Sequence, residues 1–438
     1  MNYFQTILLV IFGFALVIGL LVFGGILPGF RAPQGGSGGT LVLWGTLPKD
    51  KVDIILADVN KQYETSFKLV YVAKDPALFN ADLVEALATG QGPDIFFFTH
   101  ESMATNANKA SLVPYASYSA RVFADTFVAG ASIFQTSKGL MAVPFYVDPL
   151  VMYYNKDLLT NADLPEVPTN WPAMLIANKA LVKIDPQGNI GQSAVSFGEF
   201  ANNKNAKEVL SLLILQSGNP IVGLDASDKP QVSLGQNSVS NGLAPARSAV
   251  DFFTQFANPA KTVYTWNRSL PEASTAFING TLAFYFGFGS ETTSLATRNP
   301  HLFFDLAPVP QRNEAGTRRL TFGRFTGLAI SVQSQKTAFA WQAVQILTGS
   351  AYAGRFASLA QASPVRRDLL TIGDSDPRRA VIIKSGLIAS AWLDPNPVAT
   401  KKIFSDMISS IMTGLADSGQ AINTAASELS NLFNQNNG

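Results

Sequence analysis

The fold class of this chain is decided by residues 40–98, which read TLVLWGTLPKDKVDIILADVNKQYETSFKLVYVAKDPALFNADLVEALATGQGPDIFFF. Apolar residues recur at helical spacing from Val52 to Tyr63 and again before Gly90. Strands are predicted at short apolar runs with no polar alternation, namely Leu41–Trp44, Phe67–Val72 and Asp94–Phe98. Buried strands separated by helices are typical of a parallel sheet covered on both faces, so this stretch predicts an α/β domain.

The ends of the predicted strands indicate where a ligand would bind. Parallel sheets bind ligands outside the carboxyl ends of their strands. In this chain those ends carry Trp44–Thr46 and Thr99–Glu101. Farther along, strands are predicted at Thr281–Phe288, Leu302–Val309 and Thr326–Val332, and helices at Val209–Leu215, Thr337–Leu347 and after Lys401. Another helix is predicted to open at Trp171, with Thr169 or Asn170 as its N-cap.

Composition excludes several classes of function. The chain has 438 residues, of which 47% are hydrophobic and 14% charged, and a formal net charge of +1. That length suggests about two to three domains, and the near-neutral charge argues against a nucleic-acid partner. With no cysteine, disulfides, thiolate catalysis and Cys-ligated zinc or iron–sulfur clusters are excluded. Two histidines argue against a multi-histidine metal site, and no cofactor is predicted.

The first 30 residues predict a membrane anchor. Residues 7–27 read ILLVIFGFALVIGLLVFGGIL, and no charged side chain precedes Arg31. A helix of that length spans a hydrocarbon core of about 30 Å. A cleaved signal peptide is the alternative, opposed by the long apolar run, the absence of a basic residue before it and the lack of an A-x-A-like site. Residues 31–39, which include GGSGG at 35–39, predict a flexible tether.

Six blocks follow one another in an order that points to a family. They are the strand ending in Trp44, then Leu87–Ile95 (LATGQGPDI), Val143–Phe145 leading to Tyr153–Leu158 (YYNKDL), Pro168–Trp171, Ala276–Gly280 (AFING), and Ala362–Arg367 (ASPVRR). This arrangement resembles the extracellular solute-binding proteins of ABC importers, in the branch that includes maltose-binding protein. The similarity extends from Thr40 to the C-terminus, and it is specific for the family rather than for a ligand.

The resemblance implies a two-lobed periplasmic-binding-protein fold (type II, a hinged clamp) that follows the N-terminal transmembrane helix. Lobe one would comprise residues 40–148 and 284–345, and lobe two residues 149–283 and 346–438. The implied protein is a monomer on the extracytoplasmic side of the cell membrane. It would close around a small solute, most simply a carbohydrate, and present the closed form to ABC permease subunits.

A sugar site needs aromatic platforms together with planar donors and acceptors. The candidate ligand-binding residues are therefore Trp44, Thr46, His100, Glu101, Tyr146, Asp148, Phe200, Trp266, Phe288, Glu291 and Arg324. The resemblance implies that Glu101 and Asp148 occupy positions where relatives place cleft acids. Structural alternatives stay open for each. The aromatic residues are also candidates for core packing, Glu101 and His100 for a solvated loop, Asp148 for a hinge turn, and Arg324 for internal pairing with an acid.

Other functions are less favoured. Glu101 and Asp148 are two carboxylates that a glycosidase would use as acid and base. Phosphate loops of the G-x-x-x-x-G-K-[ST] type are absent, and the stretch from His100 to Ala104 lacks the second histidine of H-E-x-x-H. Tyr153–Tyr154 resembles the tandem tyrosines of iron-binding relatives. A sensing or adhesion module of the same fold remains a further alternative, and the chain is predicted not to be an enzyme.

Overall fold

The computed structural model describes residues 38–225, 227, 229–235, 245–313 and 318–436. The predicted anchor at 1–30 and the tether up to residue 37 lie outside the described residues. Within those ranges, none of the helices combines the length and hydropathy that a bilayer crossing requires. The last tether residues already belong to the folded part, because the N–H of Gly38 donates to the carbonyl of Ser66 at 2.6 Å.

The secondary structure alternates strands and helices along most of the chain. The strands are β1 Thr40–Gly45, β2 Lys68–Ala73, β3 Ile95–Thr99, β4 Ala110–Ser111, β5 Val113–Pro114, β6 Gln135–Thr136, β7 Gly139–Leu140, β8 Val143–Asn155, β9 Lys183–Ile184, β10 Ile190–Val195, β11 Val222–Leu224, β12 Pro230–Val232, β13 Leu282–Phe288, β14 Phe304–Ala307, β15 Thr321–Ser331, β16 Ser363–Pro364 and β17 Ala389–Ser390. The predicted strands of the first hundred residues are confirmed to within one or two positions.

The helices cover both faces of the strands. They are α1 Lys49–Gln62, α2 Phe79–Ala88, α3 Met103–Asn106, α4 Ala120–Thr126, α5 Lys156–Asn161, α6 Trp171–Leu181, α7 Ala206–Gln216, α8 Pro245–Thr254, α9 Ala273–Ile278, α10 Thr292–Arg298, α11 Thr337–Leu347, α12 Ser350–Leu359, α13 Arg367–Leu370, α14 Pro377–Leu387, α15 Pro397–Met412 and α16 Ser418–Asn436. Of the two N-caps predicted for α6, the structure uses Asn170, whose Oδ1 accepts from Ala173 N at 2.9 Å.

A mixed sheet runs through both lobes in the order β2-β1-β3-β15-β8-β13-β10-β9. In lobe one, β1 lies parallel to β2 and β3, as the sequence predicts. In lobe two, β10 lies parallel to β13. The two halves are joined by the long antiparallel strands β8 and β15, which the apolar pattern alone did not reveal as crossing elements.

Each lobe has its own hydrophobic core. The core of lobe one combines residues 41–147 with residues 325–365 and Ala389. In lobe two, apolar side chains pack on both faces of the sheet. Leu150 and Met152 of β8 belong to one cluster, whereas Val151 and Tyr153, which point to the other face, belong to a second.

This packing corrects the lobe boundaries expected at residues 284 and 345. Strand β13 pairs with β10 and with the lobe-two end of β8, so the chain remains in lobe two until β15. Helix α12 packs in the core of lobe one, and the chain leaves that lobe after Val365. The physical reason is that the packed faces of β13 and α12 are mostly apolar, and an apolar pattern does not specify which core an element joins.

The crossing segments meet closely at Gly323. This residue is the register partner of Pro149 in the β8–β15 ladder. A Cβ at position 323 would lie 2.7 Å from Val147 Cγ2 and 2.8 Å from Ala389 Cβ. Because real Cβ atoms do not approach so closely, only glycine lets β15 pass between β8 and β17 at the hinge.

Candidate functional site

A cavity of about 270 Å³ lies between the lobes, at the carboxyl ends of β1 and β3. Three sequence-predicted candidates line it from lobe one, namely Thr46, Glu101 and Tyr146, and Pro397 at the start of α15 lines it from lobe two. The remaining lining residues are Pro76, Phe79, Asn80, Phe97, Thr99, Ser102 and Thr326. Thr46 and Glu101 meet here because parallel neighbouring strands end at the same edge of a sheet.

Glu101 faces lobe two across this crevice. It lies in the 3₁₀ turn His100–Ser102 that directly follows β3. Its Oε1 is 3.8 Å from Arg324 Nε and 3.9 Å from Lys207 Nζ, a lysine at the start of α7. These distances are too long for hydrogen bonds. The carboxylate therefore keeps acceptor capacity for the hydroxyl groups of a ligand.

Arg324 lies on the crossing strand β15 and joins both lobes. Its Nη2 donates to Glu208 Oε1 at 3.0 Å, and its guanidinium lies 3.8 Å from the centroid of the Phe288 ring. Burial opposes its charge, but the carboxylates of Glu101 and Glu208 prevail and raise the pKa of Arg324. In the described part of the chain, Arg324 Nε and Glu208 Oε2 are buried without hydrogen-bond partners.

Lys207 forms a second ion pair beside the first. Its Nζ donates to Asp394 Oδ2 at 2.8 Å, and both side chains are nearly fully buried. Thr400 Oγ1 donates to the other oxygen of Asp394 at 2.7 Å. Burial alone would lower the pKa of Lys207, but Asp394 and the neighbouring glutamates raise it. The ammonium group is thus held charged within reach of Glu101.

Asp148 lies on β8 where the strand crosses between the lobes, and it is partly buried. Its Oδ1 accepts from the backbone N–H of Ser290 at 3.1 Å. Burial raises the pKa of Asp148 to about 6, although the hydrogen bonds with Ser290 and the charge of Arg324 act in the opposite direction. The carboxyl group therefore changes its protonation state in mildly acidic solution.

His100 is placed behind Glu101 rather than in the crevice. It is 1% exposed, and its ring packs against Phe322 and Phe325. The Nδ1 of His100 accepts from the backbone N–H of Phe325 at 3.2 Å. Burial and the charge of Lys207 lower the pKa of His100 to about 3, so the ring is neutral. Its role in this structure is to fix the Glu101 turn against β15.

Glu291 is held within lobe two by four contacts. Its carboxylate accepts from Tyr285 Oη at 2.7 Å, from Asn205 Nδ2 at 2.9 Å and from the N–H of Phe288 at 3.0 Å, and it pairs with Lys204 Nζ at 2.7 Å. Burial would raise the pKa of Glu291, but Lys204 and these hydrogen bonds lower it. The group is fully engaged and does not line the cavity.

A comparison with known protein families identifies the family of this chain. The model of the family described as bacterial extracellular solute-binding protein matches residues 51–354. The chain belongs to this family. The matched range includes the cavity residue Glu101 and the charged residues Asp148, Glu208 and Arg324.

Solved structures share the fold of this solute-binding protein. A cyclo/maltodextrin-binding protein complexed with maltotetraose has a TM-score of 0.73 at 16% identity, over 91% of this chain and 98% of that one. The cyclic alpha-maltosyl-1,6-maltose binding protein of Arthrobacter globiformis has a TM-score of 0.73 at 15% identity, over 91% and 99%. The sugar-binding protein MalE of Xanthomonas citri has a TM-score of 0.70 at 18% identity, over 90% and 98%.

Four aromatic residues that the sequence predicts as ligand contacts lie in the hydrophobic cores of the solute-binding protein. Trp266 has no exposed surface, and its Nε1 donates to Asn202 Oδ1 at 3.0 Å. Phe200 and Phe288 are almost fully buried in lobe two, and Trp44 is covered by the ammonium group of Lys74 at 4.0 Å. None of these four side chains lines the interlobe cavity.

The sequence interpretation missed Lys207, Glu208 and Asp394. The first two open the apolar helix α7, whose interior alone was recognised. Two opposite charges at the start of a helix that is otherwise buried are a usable signal, since buried charges need partners. The partner Asp394, however, lies 187 positions away from Lys207, and local pattern does not connect them.

The tandem tyrosines Tyr153 and Tyr154 have structural roles. Tyr153 is fully buried, and its hydroxyl donates to the carbonyl of Phe288 at 2.6 Å. Tyr154 pairs with Phe284 in the β8–β13 ladder. Across the described ranges, acidic and histidine side chains form no group of three that could hold a metal ion.

Proposed function

We propose that the chain is a membrane-tethered extracellular solute-binding protein that captures a sugar or oligosaccharide between its lobes. In this proposal it delivers the sugar to the permease of an ABC importer. The observation that carries the ligand class is the lining of the interlobe cavity. It combines the aromatic rings of Phe79, Phe97 and Tyr146 with the carboxylate of Glu101 and the amide of Asn80.

This lining fits a carbohydrate on chemical grounds. Sugars offer flat apolar faces that pack on rings and hydroxyl groups that donate to carboxylates. The hydroxyls of Thr46, Thr99 and Thr326 add further donors and acceptors along the same wall. Proteins of similar fold have been solved in complex with maltotetraose, acarbose or tagatose, and these complexes support the same ligand class for this chain.

Ligand binding would act through the hinge. Glu101, which lines the cavity from lobe one, lies 3.9 Å from Lys207 of lobe two and 3.8 Å from Arg324 on the crossing strand. A sugar held by residues of both lobes stabilises the closed form by its differential affinity for the closed and open states. The membrane tether in this proposal is the uncharged segment at 7–27, which has the length of a bilayer-spanning helix.

The test is thermal unfolding of the full-length protein with maltodextrins, monosaccharides, amino acids and polyamines, each in a separate titration. A ligand present at 100 times its Kd adds about 2.7 kcal/mol to the free energy of unfolding. We expect a saturable shift with at least one saccharide, together with a smaller radius of gyration in solution scattering. A ligand set without any saccharide would contradict the proposed class, and release of shorter sugars would favour a hydrolase instead.

A further inference from the structure

A second cavity, larger than the one at the Glu101 crevice, lies elsewhere between the lobes. It has a volume of about 460 Å³ and shares no lining residue with the first cavity. Lobe one contributes α3 and the segment 129–141, lobe two contributes β11 and Phe433, and the crossing segment 390–393 also lines it. Its volume falls within the range of roughly 300–1,000 Å³ that is typical of small-molecule pockets.

The lining of this cavity is mainly apolar. Its large apolar side chains are those of Met103, Ile133, Met141, Trp392, Leu393 and Phe433, and Ser132, Gln135, Thr136 and Ser390 add polar groups. Methionine side chains adapt to irregular apolar ligands, and Trp392 offers a large ring. Trp392 is held in place because its Nε1 donates to Ser211 Oγ at 3.1 Å. The indole ring of Trp392 therefore has a defined orientation in the wall.

One end of the cavity is cationic. Arg318 lines the apolar chamber and also an adjoining, more polar crevice of about 480 Å³, whose lining includes Gln216, Ser217, Asn219 and Arg312. The guanidinium makes no ion pair with any residue that the structure describes. An exposed arginine between an apolar chamber and a polar crevice matches a ligand that has an apolar body and an anionic end.

We propose that this chamber is a second ligand site, which takes a small amphipathic carboxylate. The apolar body lies against Met103, Trp392 and Phe433, and the carboxylate pairs with Arg318 at the boundary of the polar crevice. Because the walls come from both lobes and from a crossing segment, the contacts of this ligand change whenever the lobes rotate. The occupant therefore also acts on the hinge equilibrium.

The probe for the test is 4-phenylbutyrate, with 4-phenylbutanol as its uncharged counterpart, titrated by calorimetry into the full-length protein. We expect saturable binding of the carboxylate and at least tenfold weaker binding of the alcohol, because a hydrogen bond to a charged group is lost. Arg318→Gln should weaken carboxylate binding by a similar factor. Arg318 is exposed, so this change leaves the cores intact.

A cavity-filling variant provides the second arm. Ala107→Leu places extra atoms at the wall of the chamber and should abolish binding of both probes. Ala81→Leu, on the exposed face of α2, is the matched control and should bind as the unchanged protein does. Absence of saturable binding to the unchanged protein, or binding that survives both Arg318→Gln and Ala107→Leu, would overturn the proposal.

Discussion

Asp148 and Arg324 are register partners in the antiparallel ladder of β8 and β15, at the point where both strands pass from lobe one to lobe two. Asp148 accepts from the N–H of Ser290, while Arg324 lies between Glu101 on one side and Glu208 on the other. The register pair at the hinge is thus connected to the crevice through Arg324, whose Nε lies 3.8 Å from Oε1 of the cavity residue Glu101. A ligand that contacts either residue also changes the contacts of the crossing strands.

Glu101→Gln tests the ionic contact across the crevice. We expect it to lower the affinity for the bound saccharide about tenfold, because the carboxylate accepts stronger hydrogen bonds than the amide does. The radius of gyration of the ligand-free protein should also increase, since Arg324 and Lys207 lose their partner in lobe one. Glu64→Gln, an exposed change in lobe one, is the control for calorimetry and scattering. Equal affinities for the two variants would rule out a ligand role for Glu101.

The pH dependence of stability tests Asp148. Asp148 has a pKa of about 6 in the folded state, whereas the ordinary pKa of an aspartate, which applies to the unfolded chain, is 3.8. The free energy of unfolding should therefore fall as the pH rises from about 4 to about 6, by at most about 3 kcal/mol from this group. Urea unfolding of the native protein and of Asp148→Asn across this window measures the difference. Parallel pH profiles for the two proteins would contradict the raised pKa.

The ion pair between the partly exposed guanidinium of Arg324 and the nearly buried carboxylate of Glu208 is tested by a double-mutant cycle. Arg324→Gln leaves the nearly buried carboxylate of Glu208 without its cation, so we expect a loss of about 3 kcal/mol in unfolding free energy. Adding Glu208→Gln removes the uncompensated charge and should recover part of that loss. A coupling energy of about 1–3 kcal/mol is expected from denaturant unfolding. Strict additivity of the two single changes would mean that the pair contributes no specific interaction.

Trp266→Phe separates core packing from ligand contact. Trp266 is fully buried and donates to Asn202. Its replacement should cost about 1–3 kcal/mol of stability through the lost hydrogen bond and the unfilled volume. Saccharide affinity of the folded protein, measured well below its melting temperature, should stay within a factor of two to three of the native value, which is less than about 0.7 kcal/mol. A large loss of affinity at unchanged stability would instead place Trp266 in the site.

Much of the fold was accessible from the sequence because its determinants are local. The apolar strand from Leu41 and the helical spacing from Val52 each specify an element without reference to the rest of the chain. The meeting of Thr46 and Glu101 was also predictable, since parallel strands place their carboxyl ends together. The order of short blocks from Trp44 to Arg367 indicated the family, which the match over residues 51–354 then showed.

The tertiary structure alone decided which lobe each element joins and which charges meet. Strand β13 is buried on both faces, and an element of that kind fits either core, so its pairing with β10 had to be observed. Lys207 and Asp394 find each other across 187 positions. The burial of His100 and Trp266 likewise depends on neighbours that are distant in sequence. Local patterns determine secondary structure, whereas solvent exposure and ionic partnership are properties of the assembled chain.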